Sequence, residues 1–296
     1  MKKLKLIICF LAVMLCGLTG CQEGQTDWIP VNIGFKPYIG HDTRAVVESV
    51  PFPEERSFKV WALNQSTQSM YIDGEVIQYD GTGWSSEKIW PRTDLSFEAC
   101  WPTDIGAIYT PGKGISIEDF DTTQGEVDIL CARAYDVNYA TGRYVTLEFA
   151  HILSRVEFRM RQSLSSQMAV KVNRIELKGF AKTGDYNKSG NYAWTTTNPS
   201  HSYVFDASDE PVIVGADPIY MGEDFYAIPQ SSSATVIVDF EVKFGEANWI
   251  PLQEEIQNFV IDWTPGTHYT YTLNLTETTL TYTTGISNWN NRAEEI

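Results

Sequence analysis

Apolar and polar residues alternate with a period of two through much of the chain. In "HYTYTLNLTE", Tyr269, Tyr271, Leu273 and Leu275 share one face, and Thr270, Thr272, Asn274 and Thr276 share the other. That is the pattern of a strand with one side in a core. The same alternation turns Val145, Leu147 and Phe149 inward in "YVTLEFAH". In "RVEFRMRQ" it sets Val156, Phe158 and Met160 against Arg155, Glu157, Arg159 and Arg161. "ATVIVDFEVKF" aligns Val236, Val238, Phe240 and Val242, and "DLSFEACW" aligns Leu95, Phe97, Ala99 and Trp101. Helical periodicity is confined to short pieces near Ile115–Phe120 and Ser163–Met168.

Turn residues punctuate these runs. Asp73-Gly74 in "YIDGEVIQY" predicts a two-residue hairpin, because Asp-Gly accepts the positive φ that such turns require. "YDGTGW", "TPGKG", "KTGDYN" and "WTPGTHY" mark further loops. Many short strands spaced by turns predict an all-β chain of β-sandwich domains. No strand–helix alternation points to a doubly wound sheet. Two strand-like runs meet around His151–Ser154 with almost no loop, so a domain boundary is expected there. That gives an N-terminal β-sandwich over 45–152 and a C-terminal one over 153–296.

The start of the chain follows different rules. Lys2, Lys3 and Lys5 precede an apolar run from Leu6 to Leu15, too short to span a bilayer and flanked like a signal peptide. Leu18-Thr19-Gly20-Cys21 has the form of a lipobox, an apolar branched residue and two small ones before the cysteine that receives the lipid. Residues 1–20 therefore read as a lipoprotein leader and Cys21 as the acylated first residue of a membrane-tethered protein. The acyl chains supply the anchor, at about 0.8 kcal/mol per buried methylene.

Charge agrees with that anchor. The chain has 22 basic and 38 acidic residues, a net charge of −16. Taking the three leader lysines away leaves 19 basic residues, for a mature charge of −19. Such a body is repelled by nucleic acid and by anionic lipid. Of the five cysteines, Cys9 and Cys16 leave with the leader and Cys21 carries lipid. Cys100 and Cys131 remain, as a disulfide or as two buried thiols.

Patterns that carry chemistry are few in the sequence. His41, His151, His201 and His268 show no metal-ligand spacing with one another or with a cysteine. "GKGIS" lacks the spacing of a phosphate loop and reads as a turn, and "EDFD" lacks the glycine and spacing of a calcium loop. His151 reads as a structural histidine. No catalytic constellation, metal or cofactor is expected. Nine Trp and fifteen Tyr raise glycan stacking as a function. Trp61, Trp90, Trp101 and Trp249 lie in or beside strand patterns and serve a sandwich core equally well.

Several segments, in order, resemble the fimbrillin family, the FimA-like and Mfa-like pilins of anaerobic Gram-negative bacteria. They are "TGWSSEKIWPRTDLSFEACWP", "VDILCA", "VTLEFAHILSRVEFRM", "VNRIELKGFAKTGDYN", "YAIPQ" and "WTPGTHYTYTLNL". Together they span Trp84 to Leu275. The resemblance implies two transthyretin-like β-sandwich domains in tandem and a non-enzymatic role. It also implies export as an outer membrane lipoprotein precursor, then assembly with other subunits into a cell-surface fimbrium. In the family, an arginine-specific protease removes the lipidated N-terminal segment with its first strand, and a strand of another subunit fills the groove.

The residues accommodate that scheme. In "WIPVNIGFKPYIG", Ile29, Val31, Ile33 and Phe35 share one face, and Pro30, Gly34 and Pro37 limit its ladder as in an edge strand. "GHDTRAVVES" follows as a loop in which Arg44-Ala45 is the expected processing point, with Arg56 as a second one; residues 21–44 would leave together. The expected donor is "LTYTTGISNWNN", with Leu280, Tyr282, Thr284 and Ile286 on one face. The same segment reads equally as the last strand of its own domain. Shaft, tip and anchor roles stay open, with an adhesive role for a tip or minor subunit. The rival function is a monomeric surface lipoprotein that binds glycan or host protein; a lipid-anchored hydrolase comes third.

Overall fold

A computed structural model describes residues 29–40, 50–123 and 127–289. Cys21, Arg44 and Ala45 lie outside the described residues. The fold is all-β, and the described residues include no helix. Ile115–Phe120 lies within a strand, and Ser163–Gln167 is an irregular stretch whose last two residues turn into another. Ile115 and Ile117 are both buried, so the stretch that looked helical buries a two-residue repeat.

The first half contains β1 (Asn32–Ile39), β2 (Val50–Pro51), β3 (Ser57–Asn64), β4 (Ser69–Gln78), β5 (Trp84–Ile89) and β6 (Leu95–Trp101). It continues with β7 (Ile108–Thr110), β8 (Gly114–Asp121), β9 (Leu130–Val137) and β10 (Tyr144–His151). Eight of these form one sheet in the order β2-β1-β10-β9-β6-β3-β4, with β5 also paired to β1. β10 turns a corner in this sheet. Its residues Tyr144–Phe149 run parallel to β1, whereas Ala150 and His151 pair with β9. The sheet thus folds over its own core. Phe35 on β1 meets Phe58 on β3 and Phe97 on β6 edge-on, at 5.8 and 6.0 Å, the offset geometry aromatic quadrupoles prefer.

Asp73-Gly74 does not form the expected hairpin. β4 runs straight through it, and the β3–β4 register slips there, pairing Val60 with Glu75 and Ala62 with Ile72. Gly74 takes φ +69°, and a Cβ on it would press the Trp61 indole nitrogen at 3.2 Å. The dipeptide supplies a bulge opposite a large ring, a second use of the same left-handed preference.

The second half contains β11 (Ser154–Gln162), β12 (Met168–Phe180), β13 (Thr183–Tyr186), β14 (Trp194–Thr197), β15 (His201–Asp206) and β16 (Val212–Val214). It ends with β17 (Ile219–Tyr220), β18 (Phe225–Ala227), β19 (Ser231–Phe244), β20 (Ile250–Asp262), β21 (Thr267–Leu275) and β22 (Leu280–Asn288). Two five-stranded sheets face each other here. One runs β17-β11-β21-β22 with β18 on β11; the other runs β15-β12-β19-β20 with β16 on β12. Val156, Phe158, Met160, Tyr269, Tyr271, Leu273 and Leu275 of the first sheet pack on Val170, Val172, Ile175, Val236, Val238 and Phe240 of the second. Only Ile152 and Leu153 separate β10 from β11.

A four-stranded sheet, β14-β13-β8-β7, takes strands from both halves. Beneath it lies a third cluster, with Cys100, Ile115, Ile117, Cys131, Tyr186 and Ile228. β6 is therefore covered on both faces, which explains Glu98, a carboxylate only 3% exposed. It accepts the Ile115 N–H at 2.9 Å and the Tyr192 hydroxyl at 2.7 Å, so burial leaves it bonded rather than stranded.

Cys100 and Cys131 face each other directly across the β6–β9 pair, and both are free thiols. Burial pushes the Cys100 thiol up to about 12 and raises Cys131 well above its ordinary value. Only the thiolate is a good nucleophile. Neither residue should therefore react with a maleimide in the folded protein at pH 8, and both should react after unfolding. Peptide mass mapping checks this; equal labelling of folded and unfolded protein would refute the packing.

Candidate functional site

β1 sits inside a sheet, which corrects the expectation of an edge strand. It runs parallel to β10 on one side, from Gly34↔Tyr144 to Ile39↔Phe149, and antiparallel to β2 and β5 on the other. Pro37 fits because of its direction. Its carbonyl accepts the Phe52 N–H at 3.4 Å, so its missing N–H also faces the short β2 side, and the ladder to β10 stays whole. The strand is pinned at both ends, by the Trp90 N–H donating to the Val31 carbonyl at 2.9 Å and the Gly40 N–H donating to the Phe149 carbonyl at 3.0 Å.

The buried face of β1 differs from the one the alternation outlined. Ile33, Phe35 and Ile39 are at most 2% exposed. Val31 is half-buried, and Ile29 is 50% exposed before the strand begins. Ile39 went unnoticed because Pro37 interrupts the apolar series between it and Phe35. Burying Ile33, Phe35 and Ile39 contributes roughly 5–9 kcal/mol before ordering costs, at about 1.5–3 kcal/mol each. On the outer face the Tyr144 ring lies across Gly34, where an added Cβ would come within 2.5 Å of it. The Tyr38 hydroxyl donates to Glu148 at 3.0 Å, and burial, with that carboxylate beside it, raises the phenol above its ordinary value.

β22 is the opposite case. It pairs only with β21, at the end of its sheet. Register places Leu280, Tyr282, Thr284 and Ile286 opposite Leu275, Leu273, Tyr271 and Tyr269, all four of which are buried, so this row points to the core side. Only its first members are covered. Leu280 is 6% exposed and Tyr282 is half-buried, its ring 4.5 Å from Phe259, whereas Thr284 is exposed and Ile286 is 68% exposed. Trp289, the next residue after the strand, is buried again at 3%. Sequence reading passed it over because it breaks the two-residue series.

Two groups of paired titratable residues include a histidine. His151 is buried, with Nδ1 2.5 Å from Asp128 Oδ2. Glu157, Asp224 and His268 bring one ligand atom each within 4.8 Å of one another. Arg155 Nε lies 2.5 Å from Asp224 Oδ2, and Arg159 contacts Glu157. Two guanidiniums already neutralise those carboxylates, so the donor set suits an ion-pair network better than a cation. Trp61, Trp90 and Trp101 are in the cores, whereas Trp249 is half-buried, with the ammonium groups of Lys171 and Lys243 at 4.9 and 5.3 Å from its ring.

A protein-family model described as fimbrillin-like matches residues 43–289. Among solved structures, the chain is similar to a fimbrial protein from Bacteroides vulgatus ATCC 8482, at 15% identity and a TM-score of 0.62, covering 88% of this chain and 99% of that one. It is also similar to a candidate cell adhesion protein from Bacteroides ovatus ATCC 8483, at 15% identity and a TM-score of 0.58, covering 90% and 100%. At such identities these likenesses speak for the fold. No curated protein matches the chain.

Proposed function

The chain belongs to the fimbrillin-like family, and on that premise we propose that it is a structural subunit of a cell-surface fimbria, assembled by strand exchange. The chain is exported as a lipoprotein held by Cys21 to the outer membrane. Its tandem halves, divided near residues 152 and 153, are the folded body. β1 holds a place in the first core until a protease cuts the following loop at Arg44. A strand from another copy then takes its seat. Family membership supports a structural role, and no catalytic role is proposed.

One contrast carries the strand-exchange reading. At one end of the chain, β1 fills a seat in a core and is followed within five residues by Arg44. At the other end, β22 holds a core-facing row that its own fold leaves half uncovered. The first strand leaves a groove when removed; the second has apolar surface to bury there. A vacated seat exposes both apolar side chains and unpaired backbone groups, which favours an incoming strand.

N-terminal sequencing of the protein recovered from sheared surface filaments tests the scheme. The expected first residue is Ala45. Recovery of all the protein in the membrane fraction, with Cys21 still acylated, would exclude a polymerised shaft subunit.

A further inference from the structure

The seat of β1 does not end at Ile39. Beyond it lies a cavity of about 370 Å³ lined by Gly40, Ala150, His151, Gly266, Asn288 and Trp289. Trp289 enters a slot beside this cavity. Its ring stacks on His151 at 3.9 Å and 10°, and on Tyr226 at 5.2 Å and 21°. The Trp289 backbone N–H donates to the Gly266 carbonyl at 3.1 Å. The slot thus lies where the seat of β1 runs out and where β22 is held down.

The two strands match in series. Ile33, Phe35, Pro37 and Ile39 of β1 correspond in spacing to Leu280, Tyr282, Thr284 and Ile286 of β22: aliphatic, aromatic, small, branched. A β22 seated in the direction of β1 would run parallel to β10, with Ile286 level with Phe149, where Ile39 now lies. Continuing that register one residue per step puts Asn288 level with His151 and Trp289 just beyond it. Thr281 would fall at Gly34 and Ser287 at Gly40. Those positions are crowded by the Tyr144 ring and the Glu148 side chain, both on exposed residues that can swing outward.

We propose that the His151–Tyr226 slot is an aromatic-binding extension of the β1 seat, occupied in the free subunit by its own Trp289 and in the polymer by the Trp289 of the strand donated by a second copy of this chain. The proposal rests on the strand-exchange reading above. One slot with two competing occupants has a consequence for assembly. An incoming strand that fills the slot expels the acceptor's own Trp289. It thereby loosens the end of the acceptor's β22, leaving that strand held by the β21 ladder, Leu280 and part of Tyr282. Each addition then prepares the next donor, so growth proceeds one subunit at a time.

A labelled decapeptide spanning Leu280 to Trp289 tests this by fluorescence anisotropy against the full chain cut with an arginine-specific protease. The peptide should bind. Its Trp289→Ala form should bind about tenfold or more weakly, as for a buried aromatic anchor. Tyr226→Ala in the acceptor should erase most of that difference. Trp289→Ala in the acceptor should act in the opposite sense, strengthening binding of the unaltered peptide because the slot stands open. Equal affinity of the two peptides would overturn the slot while leaving strand exchange standing. Failure of both peptides to bind the cut protein would overturn the strand-exchange reading and the slot with it.

Discussion

Ile33→Asp lowers the melting temperature of the uncleaved chain by about 10 °C. Ile33 is fully buried near the start of the β1 seat, two residues before Phe35 and its edge-on contacts with Phe58 and Phe97. A carboxylate there loses its water and gains no cationic partner on that face. A buried unpaired charge of this kind, added to the lost sec-butyl packing, costs about 4–5 kcal/mol. For a chain of this size each kcal/mol shifts the midpoint by about 2–4 °C. Ile29→Asp is the internal control: Ile29 is half exposed ahead of the strand, and its replacement should stay within about 0.5 kcal/mol of the parent. Differential scanning calorimetry separates the two. Equal midpoints for Ile33→Asp and the parent would mean that β1 does not occupy this core.

Ile286→Asp produces the reverse pattern, an unchanged monomer and no polymer. In the free subunit Ile286 is 68% exposed, so a carboxylate there remains in water and stability moves by no more than about 0.5 kcal/mol. In a donated strand the same side chain takes the position of Ile39, which is fully buried beside Phe149. The charge is then desolvated without a partner, and the exchanged strand loses its hold. Mild-detergent gels of protease-treated protein should show ladders for the parent and monomer alone for Ile286→Asp, with calorimetry confirming an intact monomer. Undiminished ladders would show that Ile286 is not carried into the seat. A substitution that is silent in one state and decisive in the other separates assembly from folding, which a core substitution cannot do.

The strand faces were legible because a strand's alternation is local. Val145, Leu147 and Phe149, or Tyr269, Tyr271, Leu273 and Leu275, announce an inward face within a few residues, and all are buried. Asp73-Gly74 was legible as a left-handed site but not as a bulge, since that depends on Trp61 in the neighbouring strand. Glu98 and Glu157 sit on faces that alternation assigns to solvent, and both are 3% exposed. Glu98 is covered by strands more than ten residues away in sequence, and Glu157 lies in the ion-pair network with Arg159 and His268.

The sequence by itself therefore determined the all-β character, the inward rows of the long strands and the resemblance to a pilin family. It also marked Cys21 as the proposed acylation site and the two segments proposed to exchange. Each of these is written in neighbouring side chains, by period, turn chemistry or motif. Only the tertiary structure decided that β1 lies within its sheet, that β22 leaves Ile286 uncovered, and that Trp289 stacks on His151 and Tyr226. The physical reason is range. A strand's own period fixes which side chains share a face, but hydrogen-bond partners and covering layers come from residues as far as a hundred positions away, as with Ile39 and Phe149. No local pattern carries that pairing.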